Sequence, residues 1–161
     1  MKNVYTYGHR NEKDLTEEQI DYVKQAARKQ GYKGDIEYSP YSLTAIIDYI
    51  DDNGERSGKG SLLIIGTDVY PGENGTTANE RLSPDCCMAH EIVGHHEAWL
   101  KNTTQDDPII EEAQASIRGA LFGVGLNDEE RKLLMQDASD RLARLGKTIE
   151  DIKDLIDIKE R

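Results

Sequence analysis

Three of the four histidines fall between positions 90 and 96, in the run His90-Glu91-Ile92-Val93-Gly94-His95-His96, followed directly by Glu97. Imidazole nitrogens and carboxylate oxygens are common ligands of zinc, and a catalytic zinc takes three protein ligands and keeps one position open. The common zinc-protease helix spaces two histidines at i and i+4, about 40° apart around its axis. Here His95 stands five residues after His90, a separation of about 140° on a regular helix. A one-residue widening, a π-bulge, returns both rings to one face, and Gly94 tolerates the backbone distortion. The spacing therefore predicts a bulged helix with His90 and His95 on one ion. Glu91, next to the first ligand, is placed to take a proton from a water attacking a carbonyl and to return it to the leaving amine.

Two histidines leave such a site one ligand short. Glu111 and Glu112, on the next predicted helix, offer two adjacent carboxylates, one for the ion and one to hold a ligand imidazole from behind. Their residue types leave open which does which. His96 and Glu97 are alternative ligands, but the following turn carries them away from His90, toward solvent-facing or supporting roles. Tyr70 and Asn79, in the loop before the helix, are candidates for an oxyanion donor or a substrate anchor. His9 reads as surface. Cys86 lies about one helical turn before His90, yet buried packing is the commoner fate of free cysteine. The competing reading of the whole cluster is a solvated helix face that binds nothing. The downstream carboxylate pair weighs against it.

His90-Glu91-Ile92-Val93-Gly94-His95 resembles the His-Glu-x-x-Gly-His motif of dipeptidyl-peptidase III-like zinc peptidases, and Glu111-Glu112-Ala113-Gln114-Ala115 resembles their Glu-Glu-x-x-Ala motif. The resemblance implies His90, His95 and Glu112 as zinc ligands, Glu91 as general base, Glu111 as support behind a ligand, and a protein or peptide substrate. It covers these two motifs only. The chain is too short for that family's two lobes, the gap between the motifs is much shorter, and Ser116 stands where an acidic residue usually follows. A longer stretch, from Asn79-Glu80-Arg81-Leu82-Ser83 through Ala89-His90-Glu91 to Glu111–Arg118, is similar to C-terminal modules of bacterial polymorphic (Rhs-type) toxins. That similarity implies an effector domain of a larger secreted protein, acting in the cytoplasm of a target cell, with a cognate immunity protein as partner.

The elements that must position these residues are legible from periodicity and caps. Ile20, Val23, Ala26 and Ala27 recur at helical spacing, with Asp14 or Thr16 as N-cap and Gly31 beyond the end. Three β-branched or aromatic runs follow, at 35–39, 45–50 and 62–65, separated by Pro, Gly and Asn; the second also fits a helix. Ser83-Pro84-Asp85 is a strong helix start for the histidine segment. Further helices are predicted at about 108–122, 127–145 and 149–159, with Leu133, Leu134, Ala138 and Leu142 as a core stripe. The order predicts an α+β fold over 1–161 as a single compact domain, a small sheet followed by a helical, zincin-like metal-binding half.

Composition narrows the function classes. A net charge of -11 repels phosphate backbones and excludes nucleic acid as a ready partner. With 37% hydrophobic and 32% charged residues, no run is apolar enough to span a bilayer, and the N-terminus lacks the apolar core of a signal peptide. Cys86 and Cys87 are adjacent and build no disulfide framework. The expectation is a soluble protein working in a reducing cytoplasm. Two other classes remain: a zinc amidase on a non-protein substrate, and a non-catalytic acidic interaction or immunity protein steered by its charge.

Overall fold

The computed structural model describes residues 9–159 and 161. Among the described residues the first helix, α1 (Glu17–Lys29), begins where a capping box forms: Thr16 accepts from Gln19 N, and the Gln19 side chain returns the bond to Thr16 N. Glu17 and Glu18 sit in its first turn and Arg28 and Lys29 in its last, each favoured by the helix dipole. Its apolar face buries Val23, Ala26 and Ala27. Gly31 then reverses the chain with φ 94°, a conformation that suits glycine.

Three short strands make one sheet in the order β1-β3-β2: β1 (Asp35–Tyr38), β2 (Ala45–Ile47) and β3 (Leu62–Ile65). β1 runs parallel to β3 with Asp35 opposite Leu62, and β2 runs antiparallel with Ala45 opposite Ile64. The 45–50 run is thus a strand at its start and leaves the sheet after Ile47. Central β3 is apolar throughout, and Leu63 and Ile65 turn into a core with Val23, Ala27, Met88 and Ile92. Each large aliphatic buried there contributes roughly 1.5–3 kcal/mol.

The histidine segment follows two short helices, α2 (Ala78–Arg81) and α3 (Pro84–Met88). Ser83 caps α3 by accepting from Cys86 N, with Pro84 in the first turn. Helical backbone then continues as a π-helix (Ala89–His96) and α4 (Glu97–Leu100). The long helix α5 (Pro108–Phe122), capped by Asp107, packs along the π-helix on one side and α6 (Asp128–Ala143) on the other. Leu134, Ala138 and Leu142 of α6 are fully buried, as their spacing predicts. The last predicted helix is shorter than its sequence suggests. α7 covers only Ile149–Ile152, because the chain then turns and lays backbone groups of Asp157 and Lys159 on Gln114 and Arg118. The whole is α+β, and among the described residues no helix is long and apolar enough to cross a membrane.

Candidate metal centre

The π-helix closes the five-residue gap between the histidines. Glu97 N donates to Ile92 O, a bond one residue longer than the α pattern. His90 and His95 consequently share a face, with ring centroids 4.7 Å apart and ring planes 83° apart. Gly94 lets α5 approach at backbone distance, since a Cβ there would stand 2.4 Å from Ala115 O and 2.6 Å from Ala115 Cα. Arg118, fully buried on α5, donates from Nε to Val93 O at 3.2 Å inside the widened turn. This close crossing brings Glu111 and Glu112 beneath the two rings.

Three atoms then form a nearly equilateral triangle. His90 Nε2 and His95 Nε2 are 3.1 Å apart, and Glu112 Oε2 lies 2.9 Å from the first and 3.1 Å from the second. Ligands at about 2.0–2.1 Å around a tetrahedral zinc stand about 3.3 Å apart, so the triangle is close to the spacing of one coordination shell. His90, Glu91 and His95 also offer ligand atoms within 4.8 Å of one another, a cluster able to hold a metal ion. Of the two glutamates, Glu112 is the one in contact with both Nε2 atoms, while Glu111 meets His95 Nδ1.

Groups behind the rings fix their tautomers. His95 Nδ1 faces Glu111 Oε2 at 2.7 Å, and an ionised carboxylate only accepts, so the nitrogen carries the proton. His90 Nδ1 faces Ser116 Oγ at 2.8 Å. The single hydroxyl hydrogen of Ser116 goes to Asp137 Oδ2, 2.5 Å away, so Ser116 accepts from His90. Neutral rings held this way both turn an Nε2 lone pair to the triangle, and Glu112 adds a third acceptor. Three acceptors at 2.9–3.1 Å repel unless a cation lies among them.

Without a metal, a proton is the available cation, and the titration of the site reflects that. Burial by itself would lower the His95 pKa, but the hydrogen bonds to Glu111 and Glu112 and the charge of Glu91 outweigh it and raise it from 6.5 to about 10. Burial works against the Glu112 carboxylate too, yet its close contacts with His90 and His95 hold it far below the usual range. Glu91 is raised, because enclosure of its carboxyl outweighs the opposing pull of His95 and His90.

Two corners of the triangle, His90 and Glu112, line a cavity of about 710 Å³ together with Glu91, Asn79, Arg141 and Arg144. Arg10 also lines it. Its buried guanidinium donates to the carbonyls of Asp68, Val69, Asn79, Glu80 and Leu82 and to Cys87 Sγ, which ties the loop before the histidine helix to the N-terminal stretch.

The structure thus brings together His90, Glu91, His95, Glu111 and Glu112, and sets exposed Asn79 on the cavity wall. Tyr70 is not on that wall: its hydroxyl donates to Gln19 O at 3.3 Å and its ring packs on the sheet core. His96 faces neither solvent nor the triangle. It is buried, with Nδ1 2.6 Å from Asp48 Oδ1 and its ring edge-on to Tyr32. His9 is exposed beside Glu80. Cys86 is buried in the core and Cys87 faces Arg10; burial pushes their thiols up to about 11 and about 12, so neither is a ready thiolate.

Four contributing residues carried no motif: Arg10, Asp48, Asp137 and Arg141. Asp137 and Arg141 had a local signal. They are i and i+4 on α6, paired at 2.9 Å, and flank an apolar stripe where an ion pair is out of place. No protein-family model, curated protein or solved structure matches this chain.

Proposed function

We propose that this chain is a zinc-dependent metallopeptidase on a zincin-like helical half, with His90, His95 and Glu112 as ligands and Glu91 as general base. The observation that carries the reading is the convergence at 2.9–3.1 Å of two imidazole nitrogens, whose tautomers are set from behind, and one carboxylate oxygen, with His90 and Glu112 lining an open cavity. A zinc ion held there supplies Lewis acidity toward a water and a substrate carbonyl.

The chain's own residues do the rest. Glu91 follows His90 directly and lines the cavity, so its carboxylate is within the ligand cluster yet open to substrate. Enclosure raises its proton affinity, which moves it toward the value of a base that works near neutral pH. It takes a proton from the attacking water and delivers it to the departing amine. Glu111 and the Ser116–Asp137 pair would keep the two imidazoles oriented toward a bound ion. The motif resemblance to dipeptidyl-peptidase III-like enzymes supports a peptide carbonyl as the target. The similarity to polymorphic toxin modules supports an effector that acts in another cell's cytoplasm and meets a cognate immunity protein.

The test is metal analysis of protein purified without chelator, wild type beside Glu91→Gln, with cleavage followed on a peptide library and on peptidoglycan. About one zinc in each protein is expected, with peptide cleavage in the variant reduced by roughly 10²–10⁴. No zinc in either overturns the reading. Cleavage of peptidoglycan alone replaces the peptidase with an amidase, and an effect that survives Glu91→Gln points to a non-catalytic interaction protein.

A further inference from the structure

Beside the metal triangle, the α6 wall of the cavity carries two arginines one turn apart, Arg141 and Arg144. Arg141 is anchored through one edge only. Its Nε donates to Asp137 Oδ2 at 2.9 Å, and Nη1 stays 3.6 Å from Glu112 Oε2, beyond hydrogen-bond distance. The remaining N–H groups of that guanidinium have no hydrogen-bond partner among the described residues, although its side chain is only 19% exposed. Arg144 is exposed, and its guanidinium has no partner there either. A cation at a helix C-terminus is favoured by the dipole whatever it binds, so Arg144 by itself says little. Arg141 is the independent observation, a mostly enclosed guanidinium held by a buried carboxylate with its free edge on the cavity. Asp140, the acidic neighbour on this wall, is engaged by Gln136 at 2.8 Å.

Residues at i and i+3 lie on one helix face, so these two forks flank the same space. Guanidinium groups presented in pairs bind planar oxyanions through paired, charge-assisted hydrogen bonds. We infer that Arg141 and Arg144 form a carboxylate-binding subsite next to the metal triangle, so that the substrate is an acyl compound with a carboxylate close to the scissile bond. This rests on the metal reading above and adds to it the charge of the substrate. Six carboxylates line the same cavity, Asp68, Glu80, Glu91, Glu112, Asp137 and Asp140, so the subsite acts through the local N–H edges of the two arginines and not through a net positive field.

Cobalt(II)-loaded protein titrated by visible absorption with two metal-binding probes tests this: acetohydroxamate, and the monohydroxamate of succinic acid, which adds a carboxylate. In wild type the carboxylate-bearing probe is expected to bind about tenfold tighter or more, the worth of one good bond between charged groups. In Arg144→Gln the ratio of the two affinities should fall toward one. Arg144 holds no other side chain, so its loss does not threaten the fold. Equal affinities in wild type, or a ratio that survives Arg144→Gln, overturn the subsite and leave the metal reading intact. A cobalt spectrum that neither hydroxamate perturbs, or protein that binds no cobalt, overturns the metal reading and the subsite with it. Peptides with a free C-terminus, compared with amidated peptides that carry an internal glutamate, then separate a chain terminus from an acidic side chain as the source of the carboxylate.

Discussion

His95 and His96 are neighbours in the chain, and each has Nδ1 against a carboxylate: Glu111 at 2.7 Å for the first, Asp48 at 2.6 Å for the second. On the far side of the rings the resemblance stops. His95 Nε2 meets His90 Nε2 and Glu112 Oε2, two groups that line a cavity, whereas His96 Nε2 abuts Gly58 at a point where a Cβ would stand 3.2 Å away, with Leu100 alongside. Asp48 also accepts from buried Ser61 at 2.6 Å, so the His96 side is a closed strut between the histidine helix and the segments around β2 and β3. A carboxylate behind an imidazole therefore does not mark a metal ligand. Under the metal reading proposed above, the acceptors that converge in front of it do.

Deleting each ring in turn separates the two histidines most strongly. His95→Ala should abolish stoichiometric zinc binding, measured by equilibrium dialysis. His96→Ala should retain the zinc and instead lower the thermal midpoint, because Asp48 then loses a partner in a buried setting, a cost of about 1–3 kcal/mol. Equal zinc loss in both variants would mean that the two histidines are not divided as the geometry divides them.

A smaller effect sharpens the comparison from behind the ligands. His90 reaches its carboxylate through Ser116, with Asp137 as the relay's end. Ser116→Ala should weaken zinc binding by roughly 10–100-fold, the usual range for a supporting group. Ser116→Asp tests the same position differently, since a carboxylate there would meet Asp137 and repel it; affinity should fall again rather than recover. Unchanged zinc affinity in Ser116→Ala would show that His90 is oriented without it.

What could be read in advance follows from the range of the interactions. Helix starts are local: the boxes at Thr16 and Asn127 and the caps at Ser83 and Asp107 each involve residues within three positions. The bulge was legible because the spacing of His90 and His95 demands it and Gly94 permits it. The role of His96 was not, because Asp48 is 48 positions away and only strand pairing brings it near. The end of α7 at Ile152 has the same origin, since Arg118 and Gln114 claim the backbone beyond it through contacts 39 to 43 residues apart. Ser116 looked like a departure from a motif until Asp137, 21 residues on, lay directly behind it.

The smallest effect is graded with pH and separates the two histidines by linkage. In the metal-free protein the His95 pKa is raised from 6.5 to about 10, so this group's contribution to stability is fully present below about 6.5 and is lost as pH rises through about 10. Zinc must displace that proton. Apparent zinc affinity should therefore climb up to about tenfold per pH unit across this window, with release of about one proton per ion bound. Isothermal titration in buffers of different ionisation enthalpy at pH 8 counts the proton. In His96→Ala the count should stay the same, since the proton belongs to the triangle and not to the strut. Zinc binding that releases no proton at pH 8 would place neutral rings in the metal-free site and remove the protonic stand-in for the ion.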